Sequence, residues 1–284
     1  EAELPAAAQL APMSDSPEFC PTFERPPVIE TRIGVQFSPL VGFRSGHFGL
    51  FWDECLGTEG WRIREDAPPL PVESERFGDK RLQPPPDDDF EDCIGLRMRL
   101  SSADNTRTVQ FQPNRLLYGW TRESGQPPSF AEVKHQFSRL YDGLALFAAG
   151  CNLGKPQANL WEVTYVNQIP PGKLWKNPSD WHRVFPHLFV EGGPSVAGHE
   201  WATFNGEWYF VIPPQLGRVR VRVQKSVNPA DEVVLLLVVT ARGEIGSDGA
   251  SDWQTGAEIG HRSAVRVFYD LASPEARDEW GARA

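Results

Sequence analysis

Apolar and polar positions change period along the chain in an order that can be read twice: strand-like, helix-like, three strand-like stretches, helix-like. In the first half, Ile33, Val35 and Phe37 alternate with polar or small residues, the period of a half-buried strand. Ser45 then precedes Phe48, Phe51, Trp52, Cys55 and Leu56 at helical spacing, with Gly57 as a stop. Further on, Leu96, Met98 and Leu100, then Val109 and Phe111, then Leu116, Tyr118 and Trp120 predict three strands, with Pro113-Asn114 turning the chain into the third. Ser129 and Glu132 have capping-box spacing. They open a helix whose buried stripe is Phe130, Val133, Phe137, Leu140 and Leu144 and which ends near Gly150.

The second half follows the same order. Trp161, Val163 and Tyr165 alternate with Glu162 and Thr164, and Asn177-Pro178 with Asp180 starts a short helix carrying Trp181, Val184 and Phe185. Strands are predicted over 201–212, 218–223 and 232–240, the last apolar on both faces and therefore interior to a sheet. A helix over about 257–271 is expected to bury Ile259, Val265 and Phe268 and to expose Arg262 and Arg266, before Ser273-Pro274-Glu275 starts a last turn anchored by Trp280.

These elements predict an α+β fold of internally duplicated β-α-β-β-β-α units, forming a largely antiparallel sheet with helices packed on one face. The expected organisation is an extended or disordered segment over 1–27, a first unit over 28–150 and a second over 151–284, both in one compact domain. Within the first unit, residues 57–92 are rich in proline and aspartate, including Pro84-Pro85-Pro86 and Asp87-Asp88-Asp89, and read as an exposed excursion without a regular element.

Composition narrows the partners. With 284 residues, 40% hydrophobic and 11% aromatic, the chain can build a full core. A formal charge of -10 disfavours non-specific binding to nucleic acid, because a phosphate backbone repels an acidic surface. The longest wholly apolar run, Val233 to Val239, is seven residues, against the roughly 20 that a bilayer span needs. No membrane partner is expected, and the first twelve residues lack the features of a secretory signal, so the expected compartment is the cytoplasm.

Little of the sequence carries recognisable chemistry. Cys20, Cys55, Cys93 and Cys151 have none of the spacings of a metal or redox site, so unpaired thiols and no metal or cofactor are expected. The chain lacks G-x-S-x-G, G-x-x-x-x-G-K-[ST], H-E-x-x-H and G-x-G-x-x-G, so no catalytic residue is assigned. Gly192-Gly193-Pro194-Ser195 precedes a strand instead of the helix N-terminus that phosphate cradling uses.

Two constellations suggest binding. In Arg218-Val219-Arg220-Val221-Arg222-Val223 the valines take the buried face, so Arg218, Arg220 and Arg222 project together from the other, and Arg97 and Arg99 do the same in the first unit. Were these strands neighbours, an otherwise acidic protein would carry a guanidinium field suited to carboxylates or phosphates. The alternative is a solvated face on which the arginines pair with nearby carboxylates. Trp161, Tyr165 and Asn167 share a face and form a second candidate, lining a cleft between the units where they could stack and hydrogen-bond a ligand; the plainer reading is core.

Four stretches, PPVIETRIGVQFSPL at 26–40, VQFQPNRLLYGW at 109–120, WEVTYVNQI at 161–169 and HRSAVRVFYDLASPEARDEW at 261–280, resemble a sporadically distributed family of prokaryotic proteins of about this length. The resemblance implies a single cytoplasmic α+β unit and, from the scattered occurrence, a place in accessory or defence-type gene systems. It implies no activity, cofactor or catalytic residue. The expected function is a non-catalytic binding protein, with another protein as partner in a multi-gene system. A sensor of an anionic small molecule or nucleotide is the alternative, and an enzyme of unrecognised type the third reading.

Overall fold

The computed structural model describes residues 20–57, 60–71, 97–122, 127–191, 204–213, 216–228, 230–246 and 249–283. The first half contains β1 (Thr22–Phe23), β2 (Val28–Phe37), α1 (Gly46–Phe51), which runs into a π turn over Trp52–Leu56, then β3 (Trp61–Ala67), β4 (Arg97–Ser102), β5 (Arg107–Gln112), β6 (Arg115–Thr121) and α2 (Phe130–Gly150). The second half contains β7 (Ala158–Ile169), a 3-10 turn over Pro178–Arg183, β8 (Asn205–Ile212), β9 (Gly217–Val227), β10 (Val233–Glu244), α3 (Trp253–Leu271), α4 (Pro274–Glu279) and β11 (Ala282–Arg283).

Strands from both halves build one nine-stranded sheet, ordered β3-β4-β5-β6-β2-β7-β10-β9-β8, in which neighbouring strands are antiparallel. Outward from the central β2–β7 pair the order is β6-β5-β4 on one side and β10-β9-β8 on the other, so the halves share one connectivity, and β3 adds an outer strand to the first. β10, with its continuous apolar run, lies inside the sheet between β7 and β9. A small β1–β11 ladder pairs Thr22 with Arg283 and ties the two ends of the described chain together.

α2 packs across β6 and β2, and α3 packs across β7, β10 and β9. Strand alternation turns Ile33, Val35, Leu116, Tyr118, Val163, Val221 and Val239 toward these helices, and all are buried. The two halves' cores meet where Trp253 of α3 sets its edge on Phe137 of α2, with ring centroids 4.9 Å apart at 83°.

α2 has the expected start: Ser129 Oγ accepts from Glu132 N at 3.2 Å and Ser129 N donates to the Glu132 carboxylate at 2.7 Å. Elsewhere the elements differ from the sequence pattern in four places. Ser45 makes no side-chain cap, and the π turn interrupts α1, so Phe48 and Phe51 are buried whereas Trp52, Cys55 and Leu56 are only partly so. The Asn177-Pro178 start leads into a 3-10 turn instead of an α-helix, although Trp181, Val184 and Phe185 are buried as expected.

The stretch 57–92 is not wholly irregular. Trp61–Ala67 forms the edge strand β3 on β4, because the prolines begin only at Pro68 and leave a pairable segment ahead of them. On α3 the sheet-facing stripe is Trp253, Gly256, Ala257, Gly260, Ala264 and Phe268, while Ile259 and Val265 are only partly buried. Residues 72–92 of the expected excursion, Cys93, residues 1–19 and the 192–195 loop lie outside the described residues. Cys20, Cys55 and Cys151 are free thiols.

Candidate functional site: the helix-free sheet face

The same alternation that feeds the core sends every second strand residue to the opposite face, where no described helix packs. Arg97 and Arg99 of β4 and Arg218, Arg220 and Arg222 of β9 all lie on this face, as their register against the strands between shows. They do not converge. Six strand spacings of about 4.8 Å separate β4 from β9, roughly 29 Å across the sheet.

Between the two rows the face carries a charged centre on β2, β6, β7 and β10. Glu162 of β7 is buried, and Arg242 of β10 donates to its Oε2 from both Nε, at 3.0 Å, and Nη2. Arg115 of β6, also buried, donates from Nη2 to Gln36 Oε1 of β2 at 2.8 Å. Arg32 of β2 lies 3.0 Å from the Glu30 carboxylate through Nε, an ion pair without the alignment of a hydrogen bond. Its stem crosses Gly119: a Cβ there would stand 2.8 Å from Arg32 Cγ.

The electrostatics of Glu162 follow from this surround. Burial alone would raise its carboxyl, but the charges of Arg242, Arg115 and Arg32 and the Arg242 hydrogen bond outweigh that and hold it down at about 2. The buried Glu162 thus holds Arg242 directly, while Arg115 and Arg32 act on it only through their charge.

Toward the edges the arginines are partly exposed and paired with side chains of neighbouring strands. Arg97 Nη1 donates to Gln110 Oε1 at 3.0 Å, and Arg99 pairs with Glu65 of β3. Arg220 donates to Glu207 of β8 at 2.6 Å, with Arg222 Nε 3.8 Å from the same oxygen and Tyr209 OH donating to that carboxylate at 3.0 Å. The hydrogen bond from Arg220 is the main reason the Glu207 carboxyl lies below the usual range. Next to β4, the backbone of Leu70 exchanges hydrogen bonds with the Gln112 side chain, so the chain after β3 folds back over this end.

Trp161, Tyr165 and Asn167 share a face, but it is the helix-covered one. Trp161 and Asn167 are each 1% exposed and line no cleft. The reason is local: glycines on α3, β9 and β10 leave room for the indole inside the core. Tyr165 OH lies 2.7 Å from His261 Nδ1, and the His261 ring stacks on Phe130 with centroids 4.1 Å apart. Asn167 Nδ2 donates to Leu237 O at 3.3 Å. His47 is held locally, its Nδ1 accepting from Arg44 N at 2.8 Å.

Sequence reasoning missed Arg32, Arg115, Glu162 and Arg242. They are scattered singly over four strands, and only the strand order places them side by side. No protein-family model matches the chain, and no curated protein matches it. Among the described residues no helix is long and apolar enough to cross a membrane.

Proposed function

We propose that the protein is a non-catalytic binding protein that docks an acidic surface of a partner protein on its helix-free sheet face. The observation that supports this reading most is the span of the arginine field. Arg97, Arg99, Arg32, Arg218, Arg220 and Arg222 keep accessible surface on one face of a chain whose formal charge is -10, around the buried Arg115 and Arg242. Rows about 29 Å apart suit a macromolecular surface and are too far apart to grip one small ligand.

Interleaved Glu30, Glu65, Glu162 and Glu207 favour a protein over a nucleic acid, since a continuous phosphate backbone would meet repulsion at each carboxylate, whereas a protein surface can offset it with its own cations. The shared connectivity of the halves supports a duplicated unit, which would widen one face into two linked ones. The four family-like stretches support a role in an accessory gene system of a prokaryote.

Native mass spectrometry of the protein isolated from its own host tests the reading. A stable complex with one acidic protein is the expected result. A lone chain, or co-purifying nucleic acid, would overturn it.

A further inference from the structure

A groove of about 490 Å³ lies where the central strand β2 begins and its neighbour β7 ends. Its walls come from two proline pairs. Pro26-Pro27 stand immediately before β2 and Pro170-Pro171 immediately after β7. Because β2 and β7 are antiparallel neighbours, the pairs are brought together, and Gln168 N donates to Pro27 O at 2.9 Å beside them. Ile29, Ile169, Leu174 and Trp280 add to the apolar lining.

Prolines hold φ fixed and have no N–H. The walls are therefore stiff, largely pre-formed and without donors of their own, which lowers the ordering cost of binding. The polar lining is lopsided in charge: Arg25, Arg122 and Lys173 face one carboxylate, Glu279. Lys173 Nζ pairs with Glu279 Oε2 at 2.6 Å, and Arg25 Nη2 donates to the Glu279 carbonyl at 3.0 Å, so Glu279 gathers two of the cations at one end of the groove. The chain ends of the groove are pinned as well, since Arg25 N donates to Trp280 O at 3.0 Å.

We infer that this groove binds a small organic anion. Its apolar body lies between the proline pairs, and its carboxylate, sulfonate or phosphate group meets Arg25, Arg122 and Lys173. The volume is in the range of ordinary small-molecule sites, about 300–1,000 Å³. Apolar walls alone would accept neutral molecules equally well; the cationic rim selects the anion.

The test uses the full chain and 8-anilinonaphthalene-1-sulfonate, followed by calorimetry and by its fluorescence, with N-phenyl-1-naphthylamine as the same body lacking the sulfonate. Three variants separate the possibilities. Arg122→Glu with Lys173→Glu reverses the rim. Gly172→Trp adds an indole at a lining position where a Cβ meets nothing within 4 Å, to block the groove. Arg222→Glu alters the sheet face on β9, three strands from β2. Saturable binding of the sulfonate is expected, weaker by about tenfold or more for the uncharged probe and for the rim reversal, the equivalent of one lost charge-assisted contact. Binding should vanish in Gly172→Trp with an unchanged melting temperature, and persist in Arg222→Glu. Absence of saturable binding, equal binding of the two probes, or undiminished binding in the rim reversal would each overturn the inference. Loss in Arg222→Glu would overturn it too, by moving the site to the sheet face.

Discussion

The indole of Trp161 occupies the space that any side chain at Gly256 would need: a Cβ on Gly256 would fall 2.2 Å from Trp161 Cδ1. The same ring crowds Gly260, Gly243 and Gly217, so glycines from α3, β10 and β9 surround one buried tryptophan from β7. Gly256 and Gly260 let α3 approach the sheet closely.

Gly256→Ala separates two opposed effects. In a free helix the change would stabilise by about 1 kcal/mol. Here overpacking against the indole should win and destabilise by about 1–3 kcal/mol in urea unfolding. Trp161→Ala should cost about 3–5 kcal/mol through the cavity it leaves. In Gly256→Ala with Trp161→Phe the combined loss should fall below the sum of the single losses, because the smaller ring vacates the space that the new methyl needs.

Glu162→Gln removes the buried carboxylate to which Arg242 donates, and with it the negative charge nearest Arg115. The expected cost is about 3–5 kcal/mol, far above that of a surface ion pair. Replacing Glu162 and Arg242 together with Met should recover part of that loss, since the desolvated charge pair is removed as a unit. A denaturation cycle over the parent, Glu162→Met, Arg242→Met and the double Met variant measures the coupling; additive losses would contradict the described pairing.

His261 sets a pH dependence of definite sign. Burial is the largest cause of its lowered pKa, about 4 against an ordinary 6.5, and the charge of Glu258 opposes it while Arg262 and Lys134 add to it. Tyr165 OH and Cys20 face the two ring nitrogens. Below pH 6.5 the unfolded chain gains this proton before the folded one does. The contribution is thus complete above pH 6.5 and lost as pH falls toward 4, by at most about 3 kcal/mol. His261→Phe should flatten the stability profile between pH 6.5 and 4 while keeping the ring stack on Phe130.

The most legible elements were those whose signals are local. Ser129 and Glu132 are three residues apart, and the capping box they form is present; Val35, Val109, Val163 and Val221 alternate with polar neighbours, and all are buried. Local signals failed where the physics was not local. A Gly and Ala stripe on α3 has too little hydrophobic contrast to be seen until Trp161 is known to fill it. Trp61 and Ile63 were hidden by the prolines and aspartates that follow.

For the site, alternation correctly grouped Arg218 with Arg220 and Arg222, and Trp161 with Tyr165 and Asn167. It carries no information on which face the helices cover, nor on how many strands separate β4 from β9. Those depend on long-range pairing. The same limit hid Arg32, Arg115 and Arg242, which are far apart in sequence and gathered only by the β6-β2-β7-β10 order.

The most direct measurement of the central claim is the affinity of the partner captured from the host for charge-reversed proteins. Arg220→Glu with Arg222→Glu alters the helix-free face, and Arg262→Glu, on the exposed side of α3, serves as the matched control. A loss of about tenfold or more is expected for the sheet-face pair, strongly dependent on salt, with no change for the control and melting temperatures retained in both. Equal affinities for all three proteins, or a loss confined to Arg262→Glu, would contradict it.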